Sequence, residues 1–137
     1  MCVYVILQDK QSGKMFTFMN THFGFGNDGQ IKSVRLIDEY SKKISSFPTL
    51  IVGDFNMKPD SPAYSLMSKL FTDVNVVAGN NLQTTYHGYH PDKISNMHID
   101  YCFINKDIKA ISQKIIDDVV EGMFPSDHYG LYNIIEL

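Results

Sequence analysis

Apolar and polar positions divide the chain into short blocks. Residues 2–8, CVYVILQ, are nearly continuous in apolar character, and residues 14–21, KMFTFMNT, alternate. The polar stretch DKQSG between them joins two strands as a hairpin. After a glycine-rich loop over residues 22–29, apolar side chains return at Ile31, Val34, Ile37 and Ile44, with Leu36 and Tyr40 widening the stripe. That spacing predicts a helix over residues 30–44, stopped by Ser45, Ser46 and Pro48. Residues 49–53, TLIVG, are short, apolar and β-branched, and predict a central strand buried on both faces. Ser61 followed by Pro62 reads as the N-cap and first turn of a short helix to about residue 70. Further strands are predicted over residues 99–104, over residues 109–120 with a bulge or bend, and over residues 129–135. The order is strand, strand, helix, strand, helix, then three strands, an α/β layer with no internal repeat.

Composition narrows the picture. A chain of 137 residues has the size of one domain. Its 44% hydrophobic and 20% charged residues are those of a globular protein, and no apolar run is long enough to span a membrane. Lys and Arg total 12 against 15 Asp and Glu, and Arg35 is the single arginine. Broad electrostatic capture of duplex nucleic acid is not supported, although local positive charge or a metal ion can offset a net charge of -3. Cys2 and Cys102 sit in apolar or alternating runs, so both are expected to be buried free thiols. The first residues, MCVYVILQDK, lack a signal-peptide pattern, which places the chain as written in the cytoplasm. Met1 nevertheless stands almost inside a strand pattern, so an upstream part is expected, and with it the compartment is open again.

Chemistry gathers at four polar clusters beside apolar strands. They are NTH (Asn20 to His22), GDFN (Gly53 to Asn56), the Asp100 of HIDY, and SDH (Ser126 to His128). Strand ends along one rim of a sheet are where α/β proteins assemble sites. Asp54 and Asn56 stand two apart and project to the same side in extended geometry. Asp100 lies in an apolar strand, where an unpaired carboxylate costs several kcal/mol, so it needs a histidine, a cation or a metal as partner. Carboxylates suit a hard cation such as Mg²⁺ or Mn²⁺. Asn and His donate to phosphoryl oxygens, and a His backed by Asp takes a proton from attacking water. The inventory fits phosphoester hydrolysis, with zinc less favoured because no thiolate is placed to help.

NTHF, GDFN, IDY and SDHYG, in that order, resemble the second half of the endonuclease/exonuclease/phosphatase (DNase I-like) superfamily, and TTYHGY at residues 84–89 resembles a segment of one of its branches. The resemblance covers residues 2–137. It implies half of a four-layer α/β sandwich, with a mixed, mostly antiparallel sheet and helices on one face. It implies a divalent-metal-dependent phosphoester hydrolase, phosphodiesterase or endonuclease-like, using Mg²⁺ or Mn²⁺. The alternatives are a phosphomonoesterase, a phospholipid headgroup hydrolase, and a non-catalytic half-domain that binds a partner. By the same resemblance His22 binds the phosphate or acts as acid. Asp54 orients the attacking water or touches the metal, and Asn56 binds phosphate or water. Asp100 pairs with His128, and Asp127 is a metal ligand. His87 and His90, in a polar loop, are candidates on the substrate side.

Two departures from the family pattern stand out. The Asn and the metal-ligating Glu of the family's first half have no match here, and Gly24 follows NTHF where a carboxylate is usual. Residues 1–137 are therefore expected to be the C-terminal portion of a domain whose N-terminal half is missing. Such a half leaves a sheet face bare, and self-association or a partner chain is expected to cover it.

Overall fold

The computed structural model describes residues 1–79 and 82–137. Its elements run β1 (Cys2–Gln8), β2 (Met15–His22), α1 (Asn27–Ile44), β3 (Thr49–Asp54), α2 (Pro62–Leu70), β4 (Thr72–Asp73), α3 (Val74–Val77), β5 (Asp100–Ile104), β6 (Lys109–Ile116) and β7 (Gly130–Glu136). Five strands form one sheet in the order β1-β2-β3-β5-β4, and β6 and β7 form a separate ribbon. Neighbouring strands are antiparallel except β2 and β3, which run parallel because α1 carries the chain back across the sheet.

Strand alternation sorts the side chains onto two faces. One face carries Met19, Ile51, Tyr101 and Phe103, which pack against Val34 and Ile37 of α1 and Ala63 and Met67 of α2. The other carries Leu50, Val52, Cys102 and Ile104, which meet Ala110 of β6 and Ile135 of β7. The result is a mixed, mostly antiparallel α/β layer, with its two longer helices on one face and a ribbon on the other. No helix among the described residues is long and apolar enough to cross a membrane.

Local chemistry accounts for most boundaries. The Ser61 hydroxyl accepts the Tyr64 N–H at 3.1 Å and caps α2, with Pro62 in the first turn. The hairpin turn is fastened by Asp9, whose carboxylate accepts the Ser12 N–H at 2.7 Å. The anticipated irregularity in β6 falls between Ala110 and Ser112, but the strand ends at Ile116 rather than at residue 120. Helix α1 begins at Asn27 rather than at residue 30, since the glycines there do not prevent a first turn.

The expectation of a buried Cys2 fails. Strand β1 lies at the edge of the sheet, all seven of its residues are exposed, and Cys2 is an exposed free thiol. Cys102, in the interior strand β5, is buried and free as expected, and burial pushes its thiol up to about 12. Val3, Val5 and Leu7 of β1 are 57%, 44% and 39% exposed, a row of apolar side chains open to solvent among the described residues.

The segment after α2 holds a buried titratable group. Asp73 is 4% exposed, caps α3 by accepting the Asn75 N–H at 2.9 Å, and accepts the Tyr64 hydroxyl at 2.9 Å. Burial raises its carboxyl above the ordinary value of 3.8, against the lowering effect of these hydrogen bonds and of His98. A carboxyl raised on folding binds protons more tightly in the native state, so its contribution is present below 3.8 and is lost as pH rises through the folded value. Asp73→Asn keeps the cap and removes the titration. Urea midpoints at pH 4 and pH 7 should therefore fall for wild type relative to Asp73→Asn as pH rises. A difference that does not change with pH would refute this.

Candidate active site

Register brings the carboxylates together. Asp54 ends β3, Asp100 begins β5, and the antiparallel pairing sets them directly opposite each other. They share a face with Leu50, Val52, Cys102 and Ile104, so they continue that apolar row at its end as two adjacent acids. His22 ends β2 and stands opposite Asp54 in the parallel register, its Nε2 3.4 Å from Asp54 Oδ2. His128 arrives from just before β7, and its Nδ1 lies 2.8 Å from Asp100 Oδ2. Asp54, Asp100 and His128 each offer one donor atom, and the three atoms lie within 4.8 Å of one another.

The backbone that delivers Asp54 depends on Gly53. Its φ is 143°, and a Cβ there would lie 1.8 Å from the Thr21 carbonyl oxygen of β2. Asp54 then turns its Oδ1 back to accept the Asn56 N–H at 2.8 Å. A hollow of about 300 Å³ opens beside the pair, lined by Val52, Asp54, Asp100, Tyr129, Leu131 and Asn133.

The electrostatics follow from crowding. Burial raises the Asp54 carboxyl above its usual value, the Asp100 charge raises it further, and the Asn56 N–H and the two histidines oppose this. Burial pulls His128 down, but the hydrogen bond to Asp100 and the charges of Asp100, Asp54 and Asp127 outweigh it, and the net shift is upward. An ionised Asp100 can only accept, so His128 donates from Nδ1–H and keeps Nε2 as its basic nitrogen. Two carboxylates and an imidazole at this spacing fit a hard divalent cation, which would relieve the repulsion between the acids.

The remaining candidates lie around this core. Asn56, at φ 48°, donates its side-chain N–H to the Phe23 carbonyl at 2.9 Å and so fastens the loop after β2 to the loop after β3. The Asp127 carboxylate lies outside the three-residue group, and its carbonyl accepts the N–H groups of His87 and Gly88 at 2.9 and 3.0 Å. His87 is not at a rim. It is fully buried, its ring packed on Tyr129 and Phe124 at centroid distances of 4.2 and 4.5 Å. His90 is exposed. Residue-by-residue reading of the sequence missed Tyr86, whose ring stands edge-on to His128 at 5.0 Å and whose backbone bridges to it. The signal was there in TTYHGY, which stood out as a segment without a role for its Tyr.

A family model described as endonuclease/exonuclease/phosphatase family matches residues 16–128. Comparison with curated proteins finds no match. Among solved structures, a mannosyl-6-phosphatase of Bacteroides thetaiotaomicron superposes with a TM-score of 0.88 at 22% identity, covering 99% of this chain and 57% of that one. An endonuclease/exonuclease/phosphatase from Bacteroides vulgatus gives 0.87 at 26% identity, covering 99% and 55%. TDP2 of D. rerio, complexed with a single-strand DNA product, gives 0.75 at 19% identity, covering 100% and 62%. The fold is thus the DNase I-like one, and the chain spans between 55% and 62% of the length of these structures.

Proposed function

Because the chain belongs to the endonuclease/exonuclease/phosphatase family, we propose that it hydrolyses phosphoesters with a divalent cation, Mg²⁺ or Mn²⁺. The observation that carries this reading is the convergence of Asp54, Asp100 and His128 from three separate segments onto one point. Asp54 and Asp100 would hold the cation, which when bound supplies positive charge against the phosphoryl oxygens. Asp100 fixes His128 with Nδ1–H toward the carboxylate, and Nε2 takes the proton of the attacking water. As the water oxygen bonds to phosphorus, the P–O ester bond breaks, and the leaving oxygen takes up a proton from His22 or solvent. His22, beside Asp54 with its side chain 71% exposed, is open to a phosphate from solvent. The Asn56 amide keeps its second N–H for a phosphoryl oxygen or water, since only one goes to Phe23. Asp127 adds negative charge beside His128.

Within this class a phosphodiester is the leading substrate, with phosphomonoesters and phospholipid headgroups the alternatives. The test is hydrolysis of bis(p-nitrophenyl) phosphate and p-nitrophenyl phosphate, with Mg²⁺, with Mn²⁺, and with EDTA. Turnover that needs the cation and disappears in EDTA is expected, and the preferred ester sets the substrate class. Equal rates with and without cation would end the proposal for this chain.

A second reading rests on the bare row Val3, Val5 and Leu7. We propose that residues 1–137 form the C-terminal portion of a domain, and that the other half covers this face. A chain that binds a hydrophobic dye, self-associates and lacks turnover would favour a half-domain that acts only with its complement.

A further inference from the structure

Thr85 is fully buried, and all its polar groups are engaged. Its hydroxyl oxygen accepts the N–H groups of Ile99 at 3.0 Å and Asp100 at 3.1 Å, and the hydroxyl donates to the Met97 carbonyl at 3.4 Å. Its backbone N–H also donates to the Met97 carbonyl, at 2.9 Å, and its carbonyl accepts the Tyr129 N–H at 2.7 Å. A threonine hydroxyl has one donor and two acceptor sites, so it is saturated.

The side chain fills a gap in the sheet. The Ile99 carbonyl accepts the Phe55 N–H on the β3 side at 2.9 Å. Across a trans peptide the next N–H, that of Asp100, points the opposite way. Strand β4 does not reach this far, because it pairs with β5 only at Phe103 and Ile104. The hydroxyl of Thr85 therefore takes the place of a neighbouring strand at Asp100. On its other side the same residue holds the backbone immediately after His128. Residues 86–88 extend the attachment, with Tyr86 bridged to His128 and the His87 and Gly88 N–H groups on the Asp127 carbonyl.

We propose that Thr85 is a positioning residue for the Asp100–His128 pair, tying the two backbones that carry it into one unit. The proposal rests on the reading of that pair as the working centre. It predicts that losing the hydroxyl loosens the pair even in protein that stays folded.

The test compares Thr85→Val, which removes the hydroxyl and leaves two buried N–H groups without acceptors, with Thr85→Ser, which keeps it. Measurements are made at low temperature on protein shown to be folded by circular dichroism. They are Mn²⁺ affinity, kcat and KM on the preferred ester, and the crystallographic Asp100–His128 separation. Thr85→Val should lose about 10- to 100-fold in Mn²⁺ affinity and kcat, with KM little changed and the hydrogen bond opened. Thr85→Ser should stay near wild type. A role in stability alone would lower the melting temperature and leave affinity, kcat and separation intact, and that result overturns the proposal. If Thr85→Val does not fold, hydrogen exchange of the wild-type Asp100 and Tyr129 amides decides, because exchange as fast as in exposed loops refutes the tie. If wild type shows neither Mn²⁺ binding nor turnover, the hydrolase reading fails, while the separation and the exchange rates still judge Thr85.

Discussion

His128→Ala should lower cation-dependent turnover by about 10²- to 10⁴-fold, the usual span for removing a positioned general base. Asp100→Asn should do damage of similar order, although it preserves shape. His128 donates from Nδ1 to Asp100 Oδ2 across 2.8 Å, and that bond selects the tautomer whose Nε2 is basic. An Asn amide can present N–H instead of oxygen to Nδ1, stabilising the wrong tautomer, and it removes the charge that favours the imidazolium formed in the reaction. The sharper expectation concerns the double variant. Asp100 would also hold the cation, so at saturating cation Asp100→Asn should slow His128→Ala further, but by much less than it slows wild type. Rates that multiply would show two independent contributions and would sink the assignment of Asp100 as partner of a base. Because Asp100 and His128 are half-buried, each single change also leaves a polar group short of its partner, costing about 1–3 kcal/mol of stability. Rates must therefore be normalised to folded protein.

Gly53→Ala should remove a large share of the folding stability. An alanine Cβ would sit 1.8 Å from the Thr21 carbonyl oxygen and 2.9 Å from its carbon, both backbone atoms of the parallel neighbour strand. No side-chain rotation relieves such a contact. The φ of 143° adds strain of its own for any residue with a Cβ, about 1–3 kcal/mol, and overpacking adds about the same again. Together these cost about 2–6 kcal/mol, a large share of a typical total of about 5–15 kcal/mol. Urea unfolding followed by tryptophan-independent signals, such as far-ultraviolet circular dichroism, is the measurement, since the chain contains no Trp. A midpoint close to wild type would mean that β2 and β3 can separate at this point, and the account of how Asp54 is placed would have to go.

Much of the site was legible because its residues stand beside apolar strands whose period is plain. Asp100 was the clearest case. A carboxylate in the run IDYCFI needs a partner, and His128 supplies it. The TLIV run likewise marks the central strand that ends in Asp54. What could not be read was set by tertiary placement. Cys2 and its neighbours look like a buried strand, yet their position at the sheet edge leaves them exposed. His87 looks like a polar loop residue, yet it fills the space between Phe124 and Tyr129. Strand β4 has only two residues, too few for any period, and so Asp73 and the start of α3 gave no signal. The face-to-face placement of Asp54 and Asp100 is a matter of register between strands separated in the chain by two helices and β4.

That strand order has a consequence for how the molecule forms. β1, β2, α1 and β3 can assemble from near neighbours, since each step closes a short connection or one helical crossover. The β3–β5 seam instead requires closing the long intervening stretch, and the His128 contact requires β6 and the loop before β7 as well. Closure entropy rises with loop length, and non-local pairings form late and slowly. The chemistry-bearing corner is thus expected to come together last. An assembly of the first three strands alone would place Asp54 beside His22 while lacking Asp100 and His128.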